Sequence, residues 1–218
     1  MPHARLYRLG TAAALVVGPA IFLADNLLHP EEVGRDREAE QLANIADAYT
    51  RWQLAHFLGL LSAIVFTGAV LGLAFLVRRA RPTLGLVGGG LAVVGLLGLS
   101  GALALDGFTW GVLGEVSARP GTDAATVQLA LHDVQQSEWA LPFYALALAW
   151  IAGLVLLAAG AALRGVAPWW ASALFALGAV MVGTEAQVQD NAYFIASAAV
   201  LLAGGAAMAA FVARASSS

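Results

Sequence analysis

Residues 52–82 read WQLAHFLGLLSAIVFTGAVLGLAFLVRRARP, an apolar stretch that ends in three arginines and a proline. A helix crosses a hydrocarbon core of about 30 Å with about 20 apolar residues, and the apolar part, 52–77, is longer than that. The arginine-rich end with its proline is typical of a tight turn at a membrane surface. The stretch therefore predicts a transmembrane helix and the turn that leads into the next one.

The composition extends this prediction to the whole chain. Of its 218 residues, 60% are hydrophobic and 11% are charged, and the mean hydropathy is +0.78. Soluble domains carry about 25% charged residues. We therefore expect one all-α domain over residues 1–218, a polytopic membrane protein built as a six-helix bundle. The predicted spans are 9–28, 52–77, 83–110, 139–163, 169–184 and 192–212.

Two longer polar segments separate the spans, and each predicts a short interfacial helix. In 31–50, apolar side chains recur at helical spacing. In 114–137, Thr122 is the predicted N-cap of a helix that extends through Val134. Tryptophans occur at the span ends, as in an interfacial aromatic belt. They are Trp52, Trp110, Trp139, Trp169 and Trp170.

The charged side chains divide between the two ends of the predicted spans. All 14 Asp and Glu residues fall at one end. The positive-inside rule counts arginine and lysine in short loops, and it places the arginine-rich end in the cytoplasm. We therefore expect a multi-pass protein of the inner (cytoplasmic) membrane with both termini cytoplasmic. The arginines at the predicted cytoplasmic end are Arg5, Arg8, Arg78, Arg79, Arg81, Arg164 and Arg214, against Arg35, Arg37, Arg51 and Arg119 at the other.

The chain contains neither cysteine nor lysine, and both absences exclude classes of chemistry. Without cysteine there are no disulfides, thiolate nucleophiles, cysteine-bound zinc sites or iron–sulfur clusters. Without lysine there is no Schiff base to retinal or pyridoxal phosphate.

Glycines four residues apart recur within the spans. In a membrane this spacing is typical of helices that pack closely. The run 88–90 lies in an apolar span with no following lysine, so it is not a phosphate-binding loop. The spaced pairs are Gly68 and Gly72, Gly85 and Gly89, and Gly107 and Gly111.

Ionisable side chains within the spans point to a site near the outer leaflet. Such groups are costly inside a membrane, so each suggests a function. At a rise of about 1.5 Å per residue, Asp25, His56 and Asp106 all lie about one turn inside the same end of the bundle. The predicted catalytic residues are His56, Asp106 and Glu138, with His56 as the expected partner of Asp106.

Further polar and aromatic side chains around this layer complete the predicted site. Asp25 and His29 are four residues apart and share a helix face. Pro19 and Pro142 can kink their spans and open space near the outer leaflet. The predicted substrate-binding residues are Asp25, His29, Trp110, Tyr144, Trp150, Glu185 and Asp190.

The predicted function is a membrane-embedded enzyme that performs acid–base chemistry with His and carboxylate groups on a lipid-like or isoprenoid-like substrate. A desolvated carboxylic acid can protonate an alkene or epoxide and start a cyclisation, so a lyase, isomerase or cyclase is expected. The alternatives are a small transporter, proton-coupled carrier or sensor without catalysis, and a structural or accessory subunit. The inner halves of the spans carry few polar side chains, which disfavours a transport path.

A metal-dependent membrane enzyme is a further alternative. Three imidazoles and a carboxylate suit zinc, iron or copper, although short ligand spacings such as His-x3-His are absent. The candidate ligands are His29, His56, Asp106 and His132. No cofactor is the favoured expectation, with a divalent metal left open. The expected partners are the lipid bilayer and an apolar small molecule, with a homo-oligomer left open and no nucleic acid.

Overall fold

A computed structural model describes residues 2–31, 37–188 and 190–214, which form helices joined by short connections with no strand among them. The all-α class predicted from the sequence is confirmed. In chain order the described helices are α1 (Pro2–Leu28), α2 (Glu38–Asp47), α3 (Tyr49–Arg78), α4 (Pro82–Ser117), α5 (Ala124–Gln135), α6 (Leu141–Leu163), α7 (Trp169–Gly183), α8 (Glu185–Val188) and α9 (Asn191–Arg214).

Five of the described helices, α1, α3, α4, α6 and α9, are long and apolar enough to cross a membrane. Helix α7 is also apolar, but its 15 residues extend only about 22 Å. The chain is therefore a multi-pass membrane protein, as its hydropathy predicted.

The apolar helices form a closed ring. Each of α1, α3, α4, α6, α7 and α9 packs on the next one along the chain, and α9 returns to α1. Neighbours run antiparallel: Gly18 of α1 lies against Phe66 of α3, while the later residue Gly72 of α3 lies against the earlier residue Thr11 of α1. Side chains from all six helices fill one buried apolar core.

Glycine sets the close approach of these helices. A methyl group at Gly107 would lie 2.7 Å from Cβ of His56, and one at Gly89 would lie 2.6 Å from Cβ of Ala74. Both distances are shorter than van der Waals contact, so only glycine fits between α3 and α4 at these points. The packing role predicted for the spaced glycines is confirmed there.

Helix α4 is too long to end at a membrane surface. Its 36 residues extend about 54 Å, whereas the hydrocarbon core is about 30 Å thick. The span predicted to end at Trp110 continues as helix to Ser117 because α2 and α5 pack against it there. Leu42 of α2 joins Val127 and Leu131 of α5 in a small buried cluster against this end. We call α2, α5 and residues 110–117 the cover.

Two predictions about local structure are corrected. Helix α5 is capped by Asp123 rather than Thr122, because the Asp123 carboxylate accepts hydrogen bonds from the backbone N–H groups of Ala125 and Thr126. Pro142 lies in the first turn of α6, where a helix tolerates proline, so it does not interrupt a span.

Candidate functional site

Two imidazoles and an indole meet between α1 and α3, on the side of the cover. The ring centroids of His29 and His56 are 5.4 Å apart, and Trp52 lies 4.8 Å from His29 and 4.2 Å from His56. His29 directly follows α1, whereas Trp52 and His56 are buried one turn apart on α3. The structure therefore brings two predicted site residues together and adds Trp52 to them.

Backbone carbonyls orient these rings. Nδ1 of His56 lies 3.1 Å from the carbonyl oxygen of Trp52, and Nδ1 of His29 lies 3.0 Å from that of Pro30. A carbonyl only accepts, so each Nδ1 donates a proton and Nε2 is the basic nitrogen of the neutral ring. Nε1 of Trp52 donates to the carbonyl oxygen of Gly107 at 3.0 Å, which ties α3 to α4.

His29 is a neutral base at physiological pH. Burial lowers its pKa to about 4, assisted by the nearby His56 and Arg51 and opposed by its hydrogen bond to Pro30. The free imidazole has a pKa of about 6.5, so protons bind the unfolded chain more readily than the folded one. The stability that His29 contributes is complete above pH of about 6.5 and is lost as the pH falls towards 4.

The carboxyl of Asp25 is buried one helical turn before His29. Only 4% of the residue is exposed. Among the described residues, no hydrogen-bond donor or cation contacts this carboxyl. A methyl group at Gly59 of α3 would lie 2.9 Å from its Oδ2, so this glycine makes room for it. The bundle thus encloses an unpaired carboxyl near the two imidazoles.

Apolar side chains enclose a small cavity next to Asp25. The volume open to the centre of a water molecule is about 20 Å³. Gly59 lines this cavity and also lies against Oδ2 of Asp25. Trp150, a predicted substrate-binding residue, lines it too, with its ring at 82° to that of Phe66. The cavity therefore has an aromatic wall, and Gly59 lies between it and the Asp25 carboxyl.

The depth of the site follows from helix geometry. Asp25 and Arg8 are 17 positions apart on α1 (25 − 8), about 26 Å of helix. His56 and Arg78 are 22 positions apart on α3 (78 − 56), about 33 Å. A hydrocarbon core is about 30 Å thick, so the distance from Arg8 to the carboxyl is slightly less than that thickness and the distance from Arg78 to the imidazole is slightly more.

Asp106 has a different partner from the one expected. Its Oδ1 accepts a hydrogen bond of 2.7 Å from the hydroxyl of Tyr144 on α6. No hydrogen bond joins His56 to Asp106 within the described structure. Successive helical residues point about 100° apart, so packing of Gly107 on His56 turns Asp106 away from α3. Tyr144, a predicted substrate-binding residue, therefore pairs with Asp106.

Three further predicted residues lie away from this cluster. Glu138 is exposed just before α6, His132 is exposed on α5, and Trp110 packs in the cover. No group of three or more His, Asp or Glu side chains close enough to hold a metal ion is found in residues 2–31, 37–188 and 190–214. Of the four predicted metal ligands, His29 and His56 are therefore neighbours, whereas Asp106 and His132 do not join them.

Glu185 and Asp190 support the connection between α7 and α9. Glu185 accepts a hydrogen bond from the buried hydroxyl of Ser197. Asp190 accepts one of 2.9 Å from the backbone N–H of Tyr193 in the first turn of α9. Both predicted substrate-binding residues thus have local partners.

Two buried polar side chains are missing from the site predicted from the sequence. Trp52 fits an aromatic belt by its place at a span end, yet its position four residues before His56 places both on one helix face. The amide of Asn26 donates to the carbonyl oxygen of Phe194 at 3.3 Å and joins α1 to α9. The signal for Asn26 is its place beside Asp25 in an apolar span.

No family model, curated protein or solved structure matches this chain. Its function is therefore inferred from the geometry of its own residues.

Proposed function

We propose that this protein is a membrane-embedded acid–base enzyme that binds the reacting end of a lipid-like or isoprenoid-like molecule at Asp25, His29 and His56. The observation that carries this proposal is the unpaired buried carboxyl of Asp25 one turn from an imidazole pair. An ionised carboxylate without a cation is costly in such surroundings, so Asp25 suits a proton donor. The Nε2 atoms of the imidazoles suit proton acceptors.

The cavity limits what part of a substrate can enter. Its volume of about 20 Å³ accommodates roughly one water molecule, so only a small reacting group fits in it. The rings of Phe66 and Trp150 can stabilise a positive charge that develops on that group. This arrangement favours protonation of an alkene or a related isomerisation, with the remainder of the substrate lying outside the cavity.

The proposal includes six membrane spans with both termini in the cytoplasm and the protein in the inner membrane. The short helix α7 decides the count. Gly178 lies against Leu201 and Gly204 lies against Phe175, so α7 runs antiparallel to α9. In that register α7 begins and ends about one turn inside the two ends of α9. This supports α7 as a crossing helix, with the positive-inside rule supporting the orientation.

A lipid-conversion assay tests the enzymatic proposal. Purified protein is incubated with a total lipid extract of the expression host, and the lipids are compared by mass spectrometry with chromatographic separation. We expect the wild type to convert at least one species into an isomer or product of changed retention. Asp25→Asn, which keeps the shape and removes the acid, should slow that conversion at least about a hundredfold.

Asp133→Asn is the matched control because Asp133 is an exposed carboxylate on α5. It should keep the wild-type rate, and all variants should keep the wild-type circular dichroism spectrum. Absence of any conversion by the wild type, or equal rates for Asp25→Asn and Asp133→Asn, would contradict the proposal.

A second candidate function is a proton sensor, which the small cavity favours over a carrier. A carrier needs a polar path, yet the inner hydroxyls bond to backbone carbonyls: Ser62 to Gly18, Thr67 to Ala63 and Ser100 to Leu96. In a sensor, protonation of the imidazole cluster would loosen the cover. The protection factors of the α2 amides, which correct hydrogen exchange for its intrinsic pH dependence, would then fall as the pH falls from about 6.5 towards 4, without lipid conversion.

A further inference from the structure

The two turns at the arginine-rich end of the bundle meet in one basic patch. Nη2 of Arg164, between α6 and α7, donates to the carbonyl oxygen of Ala80, between α3 and α4, at 3.0 Å. Ala80 lies between Arg79 and Arg81, so arginines of both turns become neighbours. With Arg78, these exposed arginines form what we call the basic patch: Arg78, Arg79, Arg81 and Arg164.

A single aromatic ring holds two of these arginines side by side. Cζ of Arg79 lies 4.4 Å and Cζ of Arg78 lies 5.2 Å from the ring centroid of Phe75. Tyr7 of α1 packs on the same ring at 4.8 Å, and its hydroxyl donates to the carbonyl oxygen of Leu71. These contacts limit the motion of both guanidinium groups, which reduces the entropy lost when an anion binds.

The protein supplies no counter-ion to this patch from the part of the chain that the structure describes. Within that part, no Asp or Glu side chain lies at this end, and none pairs with an arginine of the patch. Arginines held together without a counter-ion raise the local positive potential. Guanidinium groups bind phosphate oxygens through two parallel hydrogen bonds, so a phosphate is the anion that suits them.

Apolar side chains next to the patch indicate how the phosphate arrives. Leu163 immediately precedes Arg164 and is 63% exposed, and Trp169 follows the same turn and is 76% exposed. Tryptophan at a membrane boundary lies among headgroups and upper acyl chains. A free phosphate would leave this surface bare, whereas the chains of a phospholipid cover it.

We propose that the basic patch binds the headgroup of an anionic phospholipid in the leaflet at this end of the protein. The phosphate contacts the arginines of the patch, and the acyl chains lie along Leu163 and Trp169. This site is about one membrane thickness from Asp25, His29 and His56, which we call the Asp25 cluster, so it does not depend on the proposed enzymatic function.

Native mass spectrometry in detergent tests this proposal by titrating the protein with dioleoyl-phosphatidylglycerol or dioleoyl-phosphatidylcholine. We expect the wild type to bind phosphatidylglycerol, the anionic lipid, more tightly than phosphatidylcholine. Arg78→Gln combined with Arg79→Gln should weaken phosphatidylglycerol binding about thirtyfold. Each arginine near an anionic surface contributes about 1 kcal/mol of binding free energy, and the loss of about 2 kcal/mol corresponds to about that factor in affinity. Binding of phosphatidylcholine should stay unchanged.

Three comparisons make the result specific. Arg51→Gln with Arg119→Gln removes the same charge at the other end and should keep the lipid preference. Arg78→Lys with Arg79→Lys keeps the charge and should give an affinity between those of the wild type and the glutamine variant. This lysine variant replaces the glutamine variant in the test if the glutamine variant does not fold. Inorganic phosphate should displace the lipid only at concentrations far above that of the lipid, because it lacks the acyl chains that lie along Leu163 and Trp169. Unchanged preference in the glutamine variant, or efficient displacement by phosphate, would overturn the proposal.

Discussion

Asp123 is the residue through which the cover begins its second helix. The carboxylate is exposed and accepts from the Thr126 hydroxyl at 2.6 Å and from the backbone N–H groups of Ala125 and Thr126. These hydrogen bonds, the one from the Thr126 hydroxyl first, hold the pKa of Asp123 below its usual range. The cap therefore stabilises α5 fully above the ordinary Asp pKa of about 3.9 and is lost as the pH falls through the lower folded value.

Replacing Thr126 with valine should raise the pKa of Asp123 towards its ordinary value. The change removes the hydroxyl donor and leaves both backbone donors in place. The pKa is measured from the pH dependence of the backbone amide resonance at position 126 in detergent-solubilised protein. Thr122→Val is the control, since Thr122 precedes the cap and should leave the midpoint unchanged. Equal midpoints in the wild type and Thr126→Val would contradict this account of the cap.

The residue types of the site can be predicted from the sequence, but the partners of these residues cannot. Asp25, His29 and His56 are recognisable because each lies about one turn from the same end of an apolar span. The pairing of Asp106 with Tyr144 depends on the rotation of α4 about its axis. That rotation is set by the contact of α4 with α3, which no spacing within one span encodes.

Glycines of α4 allow this helix to pack closely against α6. A methyl group at Gly95 would lie 2.5 Å from Cα of Trp150, and one at Gly88 would lie 3.0 Å from Cβ of Leu156. The obstacle at Gly95 is backbone, which cannot move without the rest of α6. Gly90 lies on the same helix with nothing within 4 Å of its added methyl group. The glycines of α4 therefore differ in what they tolerate.

Gly95→Ala should destabilise the bundle by about 1–3 kcal/mol, because forced separation of packed helices costs that much. Gly90→Ala is the matched control and should be neutral or slightly stabilising, since alanine favours a helix over glycine by about 0.5–1 kcal/mol. Unfolding of the detergent-solubilised variants, followed by circular dichroism during titration with SDS, measures both. Equal unfolding midpoints for the two variants would mean that α4 and α6 do not pack at this distance.

For the whole molecule, hydropathy predicts the spans but not the architecture that joins them. The apolar stretches locate every long helix because each must satisfy its backbone within the membrane. The closed ring depends on contacts between α9 and α1, which are far apart in the chain. The sequence predicts the cover only as two interfacial helices. Leu42 indicates an apolar face on α2 and Leu131 one on α5, but neither residue indicates that the two helices bury these faces against each other and against α4.

The sixth span and the orientation are tested together by single-cysteine labelling, because the chain has no cysteine of its own. Thr83→Cys lies at the arginine-rich end, whereas Pro120→Cys and Val188→Cys lie at the other, and all three positions are exposed. In intact cells, a membrane-impermeant maleimide should label the cysteines at positions 120 and 188 and should label the one at position 83 only after permeabilisation. Labelling of position 188 with the pattern of position 83 would show that α7 does not cross. Exchange of both patterns would show that the orientation is the opposite one. The Asp25 cluster would then lie in the cytoplasmic leaflet and the basic patch in the outer leaflet.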